Sequence, residues 1–180
     1  MRMETERLIL RPWEERDRAP FAAMVGDPHV MRFYTHPRSR EEADAWFDSL
    51  VERFAAGTSR FLAAERKADG ALVGMVGTAD INFPIPTNPH TEVGWILAQT
   101  FWGEGYAPEA ARASLAYAFD MLGLPEVVAF TTHQNLPSQR VMEKIGMRRD
   151  PSADFDHPRI PEGHPLRPHV LYRIANPRPA

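Results

Sequence analysis

The strongest constraint on this chain is a change of backbone period around two glycines. Val93-Gly94-Trp95-Ile96-Leu97 is an extended apolar run, and Ala111, Leu115, Phe119 and Leu122 then recur on one helical face. Between them stands Phe101-Trp102-Gly103-Glu104-Gly105-Tyr106-Ala107-Pro108-Glu109-Ala110-Ala111. The stretch reads as strand, short loop and helix start. Two glycines one residue apart let backbone approach a ligand with no Cβ in the way. The first N–H groups of a helix lack internal partners, and the helix dipole adds partial positive charge there. Such a junction can cradle a phosphate or pyrophosphate.

The segments on either side set the architecture. Residues 7–12 form a short β-like segment ended by Pro12, and residues 17–25 look helical, with Phe21, Met24 and Val25 on one side. Ser39 followed by Glu42 is a capping box. The helix after it carries Ala43, Trp46, Phe47, Leu50, Val51 and Phe54 at the spacing of a buried stripe, and Gly57 stops it. Residues 60–66 and 72–81 are extended and joined by the turn signal Asp69-Gly70. Pro84, Pro86 and Pro89 define a loop. Residues 91–98 make a third strand, and 107–122 the central helix. Residues 127–132 are β-branched and extended. Asn135 caps a helix with Ser138, Val141, Met142 and Ile145 on one face, and Gly146 ends it. A weak strand from Met147, a Pro- and His-rich loop over 154–168 and a last strand over 169–174 complete the chain. Three strands in a row, then strand–helix alternation, predict an α+β fold with a mixed sheet rather than a doubly wound one.

Composition narrows the function classes. The chain has 180 residues, 43% hydrophobic and 25% charged, as expected for one domain with a real core. Net charge is -3, so composition offers no basic surface for nucleic acid. There is no Cys, which excludes disulfides, thiolate metal sites and a Cys nucleophile. No apolar run approaches the roughly 20 residues of a membrane span, and residues 1–7 lack a signal-peptide core. The expectation is a soluble, cytoplasmic protein with no membrane or nucleic-acid partner.

The glycine stretch fits some phosphate ligands and not others. Gly105 is followed by Tyr106-Ala107, not by the Lys-Ser/Thr of a nucleotide-triphosphate loop. A dinucleotide fingerprint would put a third small residue where Pro108 stands, and would sit in a βαβ unit near the N-terminus. A Rossmann-like oxidoreductase is therefore a weak rival. A purely structural loop remains an alternative, since a lone Gly-x-Gly is a weak signal.

Trp102-Gly-Glu-Gly-Tyr-Ala-Pro-Glu-Ala110 resembles the acyl-coenzyme A loop of the GNAT N-acetyltransferase superfamily, Gln/Arg-x-x-Gly-x-Gly/Ala leading into a helix. Here the slots hold Trp102, Gly105 and Ala107. The Trp departs from that pattern and is similar to the RimJ/RimL-like branch, which acetylates protein N-termini. A second family signature follows in register: Asn135-x-x-Ser138-x-x-Val141-Met-Glu-Lys-Ile-Gly146. The resemblance implies one N-acetyltransferase domain over 1–180, with its core about 7–175. It implies a mostly antiparallel sheet of about 6–7 strands, about four helices and splayed central strands. Acetyl-coenzyme A is the implied co-substrate. Its pantetheine would bond the backbone of Trp95, Ile96 or Leu97, and its pyrophosphate the N–H groups of Trp102, Gly103, Glu104, Gly105, Tyr106 and Ala107. Asn135 would bond near the pantetheine, and Ser138 would lie near the sulfur.

The chemistry asks for an amine held neutral against a thioester, a stabilised oxyanion and a thiolate that can leave. Glu92, in an otherwise apolar strand beside the expected cleft, is the candidate base, its pKa raised by desolvation. The plain alternative is a strand-end carboxylate at the solvent edge. Many members of the family place a Tyr acid where this chain has Met142, so Ser138 is the candidate donor, or the thiolate leaves unassisted. Tyr106 reads as a packing residue. Phe33, Tyr34 and His36 are candidate substrate contacts, and Arg38 and Arg40 are equally well explained as solvated charges. His157, His164 and His169, with Asp154 and Asp156, match no metal spacing. They read as part of a lid in which His157 or His164 contacts the acceptor, a plain surface loop being the alternative. No metal is expected. The acceptor is an amine-bearing small molecule or a protein N-terminus, and a homodimer is allowed. The rival from another class is a non-catalytic module that only binds acyl-coenzyme A.

Overall fold

The computed structural model describes residues 1–86 and 91–177. Pro89 therefore lies outside the described residues. The strands are β1 (Met3–Glu4), β2 (Leu8–Arg11), β3 (Ser59–Arg66), β4 (Leu72–Asp80), β5 (Thr91–Leu97), β6 (Glu126–Thr132), β7 (Arg148–Arg149), β8 (Phe155–Asp156) and β9 (Pro168–Ala175). The helices are α1 (Arg18–Gly26), α2 (Arg40–Ala55), α3 (Tyr106–Asp120) and α4 (Leu136–Lys144). One sheet runs β1-β2-β3-β4-β5-β6-β9-β7, with β8 added to β9. Every pairing is antiparallel except β5 with β6. This is the expected mixed α+β fold. The strand count exceeds the expectation because β1 and β8 are two-residue pairings, too short to show a period.

Period-2 alternation puts a core on each face of the sheet. Leu62, Ala64, Val76, Val93 and Leu97 pack with Ala111, Leu115 and Phe119 of α3 and Met142 of α4. The alternate residues Ala63, Met75 and Ile96 pack with Phe21 and Val25 of α1 and Phe47 and Leu50 of α2. Val51 does not join the stripe expected of it and is 43% exposed. Trp46 is half-buried at the edge of that core. The capping box forms as predicted: Ser39 accepts from the Glu42 N–H, and Glu42 accepts from the Ser39 N–H.

The centre of the sheet is closely packed on one side and open on the other. A Cβ on Gly77 of β4 would lie 1.8 Å from the Arg60 carbonyl oxygen of β3, and one on Gly74 would lie 2.2 Å from the Ile96 carbonyl oxygen of β5. Glycine lets β3, β4 and β5 close on one another. On the far side of β5, the register with β6 is confined to Glu92 opposite Val128. Beyond that point the two strands diverge, and the gap between them is the site described next.

Gly77→Ala is expected to cost at least about 2 kcal/mol, because the backbone it meets cannot swing aside. Ser39→Ala, which removes only a cap, should cost about 1 kcal/mol. Urea unfolding of both variants checks the order.

Candidate active site

The Ala98 N–H donates to the Val73 carbonyl at 3.0 Å. By strand alternation the Ile96 N–H also faces β4, while those of Trp95 and Leu97 face the gap. Of the three residues expected to offer backbone to a ligand, Trp95 and Leu97 are therefore placed to do so. The Leu97 carbonyl also faces the gap and accepts from the Trp102 indole Nε1–H at 2.9 Å. The gap opens into a cleft of about 1090 Å³.

The glycine loop closes one end. Gly103 and Gly105 both have φ +81°, the left-handed region that favours glycine. Gly105 caps α3 without a side chain. The Trp102 N–H is already bonded to the Gln99 carbonyl at 3.1 Å, so Trp102 cannot join the expected cradle through its N–H. The N–H groups of Gly103 to Ala107 carry no such bond among the described residues. Arg7, which the sequence did not single out, fastens the loop from outside. Its Nη1 donates to the Glu104 carbonyl at 2.9 Å, its Nε to Glu109 at 2.7 Å, and its guanidinium lies 4.4 Å over the Tyr106 ring. Tyr106 is buried there, as its packing reading predicted.

Cations line this end as well. Arg32 lies 4.7 Å over the Trp102 ring, so the residue standing at the Gln/Arg slot carries a guanidinium from another segment. Arg140 and Lys144, one turn apart on α4, face the cleft with no ion-pair partner among the described residues. Their i, i+4 spacing was the available signal. Asn135 caps α4: its Oδ1 accepts from the Ser138 N–H and its Nδ2 donates to Thr131 Oγ1. The Ser138 hydroxyl lines the cleft and has no hydrogen-bond partner among the described residues. Met142 is buried beside it.

Glu92 stands at the other end, where β5 last touches β6. Its carboxylate is half-buried and has no hydrogen bond or ion pair among the described residues. Desolvation by the cleft walls pushes its pKa up to about 7, against the opposing pull of Arg53 and Arg159. Tyr34 keeps 38% of its surface exposed, yet the protein around it desolvates the hydroxyl, and Glu92 adds to the effect. Its pKa is pushed up to about 12, so it stays a neutral donor.

His157 belongs to this end too. Burial pushes it down to about 4, helped by His169 and Arg159. Its Nδ1 accepts from the Arg159 N–H at 3.3 Å, which leaves the proton on Nε2. His169 shares the cleft wall and its ring lies 4.9 Å away, and it too is pushed down, by burial. The two rings pack with Phe83 and Phe130. Neither Phe is singled out by the sequence, which places His169 in the lid but gives the acceptor contact to His157 or His164.

Other expected residues fall elsewhere. His36 sits outside the cleft lining, between Arg38 at 2.8 Å and Glu42 at 2.9 Å. His164 lines a separate hollow with His133, Asp156 and Arg167. Glu104 contributes backbone, not its side chain, to the loop. Phe33 lines the cleft beside Arg32, its ring 4.6 Å from that guanidinium. Among the described residues no cluster of His, Asp and Glu could hold a metal ion, and no helix is long and apolar enough to cross a membrane.

Residues 7–148 match the family model described as the acetyltransferase (GNAT) domain. The chain belongs to the GNAT acetyltransferase family. Among the proteins that this GNAT acetyltransferase resembles is the uncharacterized protein YkkB of Bacillus subtilis, 34% identical over 81% of the chain and 84% of that protein. Another is the uncharacterized N-acetyltransferase YnaD of the same organism, 31% identical over 97% and 96%. A crystal structure of a GNAT-family acetyltransferase from Bacillus anthracis superposes with TM-score 0.80 at 27% identity, covering 99% of this chain and 100% of that one. The chain is accordingly an acyltransferase of GNAT type, with the fold of that family.

The raised Glu92 pKa has a consequence for stability. Its folded value lies above the ordinary 4.5, so ionisation favours the unfolded chain. The stability it contributes is fully present below pH 4.5 and is lost as pH rises through about 7. Glu92→Gln should remove that decline. Urea midpoints for both proteins at pH 5 and pH 8 test it: the variant gains on the wild type at pH 8 relative to pH 5.

Proposed function

We propose that this chain transfers an acetyl group from acetyl-coenzyme A to a primary amine by direct attack in a ternary complex. One observation supports this above the others. A single cleft joins a backbone cradle and a desolvated carboxylate, each without a partner among the described residues. The cradle suits the donor's phosphates, and Gly103 to Ala107, Arg32, Arg140 and Lys144 would hold them. The N–H groups of Trp95 and Leu97 would bond the pantetheine arm in the manner of an added strand. Residues 7–175 are the proposed catalytic core.

Acetyl-coenzyme A supplies the thioester, and the chain's own residues supply the rest. Glu92 takes the proton from the ammonium, and a pKa near 7 keeps it a competent base at neutral pH. The amine nitrogen then attacks the thioester carbonyl, and the C–S bond breaks as the amide forms. A gap-facing N–H of β5 stabilises the oxyanion. Met142 has no proton to give, so Ser138, whose hydroxyl is uncommitted, takes up the proton that the attacking nitrogen sheds as it gives its own to the departing thiolate, or the thiolate leaves as such and that proton goes to solvent. Holding amine and thioester together supplies about 7–11 kcal/mol in favourable cases.

The Trp102 form of the loop motif resembles the RimJ/RimL-like branch, but that loop does not choose between the two acceptor classes, a protein N-terminus and a small-molecule amine. A cytoplasmic location and a homodimer are part of the same reading. A module that binds acyl-coenzyme A without turnover has less support, because it gives Glu92 no reason to be desolvated and unpaired.

Titration calorimetry should show acetyl-coenzyme A binding; no binding would refute both readings. With an accepted amine, thiol release should give kcat/KM that rises about tenfold per pH unit below pH 7 and levels off above it. Glu92→Gln should lower the plateau by about 10²-fold or more and flatten the profile. Binding without turnover on any amine would favour the module.

A further inference from the structure

The charges around the cleft are lopsided. Its lining carboxylates are Glu42 and Glu92, and its lining cations include Arg32, Arg38, Arg140, Lys144 and Arg159. Glu42 is committed to His36 and to the Ser39 N–H. Arg32 on Trp102, with Arg140 and Lys144 on α4, falls at the donor end. Arg159 does not. It follows His157 on the acceptor wall, and it is near enough to Glu92 to pull on its ionisation.

Arg159 is also held in place. Its Nη2 donates to Asn82 Oδ1 at 2.6 Å and to the Asn82 carbonyl at 3.4 Å, and its guanidinium lies 5.0 Å over the Phe83 ring. It has no carboxylate partner among the described residues. A guanidinium fixed by neutral groups keeps most of its donor fork free for a planar anion. Phe83 in turn packs 4.6 Å from His157 and 5.8 Å from Phe130, so the cation borders a wall of rings. Tyr34 and Trp46 line the cleft as well, 6.5 Å apart.

We propose that the acceptor subsite takes a small amine bearing a carboxylate and a flat apolar group, of the aromatic amino-acid class. The carboxylate pairs with Arg159, the apolar group lies among Phe83, Phe130, His157 and His169, and the amine is turned to Glu92. This assignment rests on the transferase reading above. A polyamine would need several free carboxylates, and among the described residues the cleft offers one. A protein N-terminus carries a neutral amide where the carboxylate would be, which leaves Arg159 without its anion.

The test compares phenylalanine, phenylalaninamide and spermidine as acceptors, by thiol release from acetyl-coenzyme A. The wild type should prefer the free acid over the amide by about tenfold or more in kcat/KM, the scale of a charge-assisted hydrogen bond, with most of the difference in KM. Spermidine should be the poorest. Arg159→Met should bring the acid-to-amide ratio close to one, and Arg159→Lys should restore part of it. A wild type that uses amide or spermidine as well as the acid overturns the proposal. So does a ratio that survives Arg159→Met, since a merely structural Arg159 would leave it unchanged. If acetyl-coenzyme A binds but no amine in a broad panel releases thiol, the transferase reading itself has failed, and the acceptor assignment falls with it.

Discussion

The structure depends on a parallel strand pair that stops almost as soon as it begins. β5 and β6 meet at Glu92 and Val128 and then part. Past that point β5 has one edge bonded to β4 and the other presenting N–H and C=O groups to a gap. Such groups cannot be left unpaired in a dry interior, so the gap has to be a wet or ligand-filled cleft. β4 makes the divergence possible, because Gly74 and Gly77 let the other half of the sheet close tightly and hold β5 there. The helices that follow the two strands, α3 and α4, both begin beside the opening. Their N-termini add positive potential where an anionic donor would lie.

Charge is then distributed along the cleft by what each group is bonded to. Glu109 stands in the first turn of α3, where a free carboxylate would repel phosphate. Arg7 and Thr5 occupy both its oxygens, so the loop's N–H groups face the cleft without that opposition. Glu92 is the reverse case. No hydrogen-bond or ion-pair partner among the described residues neutralises it, and burial desolvates it, so its proton affinity rises toward neutrality. The same surroundings push His157 the other way and keep it neutral. One cleft thus holds a carboxylate whose proton affinity is raised to near neutral pH and an imidazole kept neutral. On the opposite side, the buried ion pair of Arg11 with Asp17, at 2.6 Å, ties β2 to the start of α1.

Much of the element string could be read from period and caps. Ser39, Asn135, Gly57 and Gly146 punctuate helices through local backbone chemistry, which a short window of sequence contains. The Gly103–Gly105 loop was legible for the same reason. Where reading failed, the contact was distant in sequence. Val51 has the spacing of a core residue, yet it stays outside the core and 43% exposed. β1 and β8 exist only because β2 and β9 offer edges. Arg7 and Glu109 lie too far apart along the chain for any pattern to join them. His157 and His169 share a wall while His164, between them, faces a different hollow, because the Pro-rich loop turns where sequence does not say.

By itself, then, the sequence determined the α+β class, the glycine loop at the start of α3, the capped helix that accompanies it and Glu92 as the carboxylate worth watching. Each is a local property, set by glycine conformations, caps and hydrophobic period. Tertiary structure alone decided which backbone groups of β5 stay open and which cations line each end of the cleft. It also decided that Glu92 is desolvated without a partner among the described residues. Those properties depend on burial and on charges brought together from separate segments, and no single stretch of chain carries them.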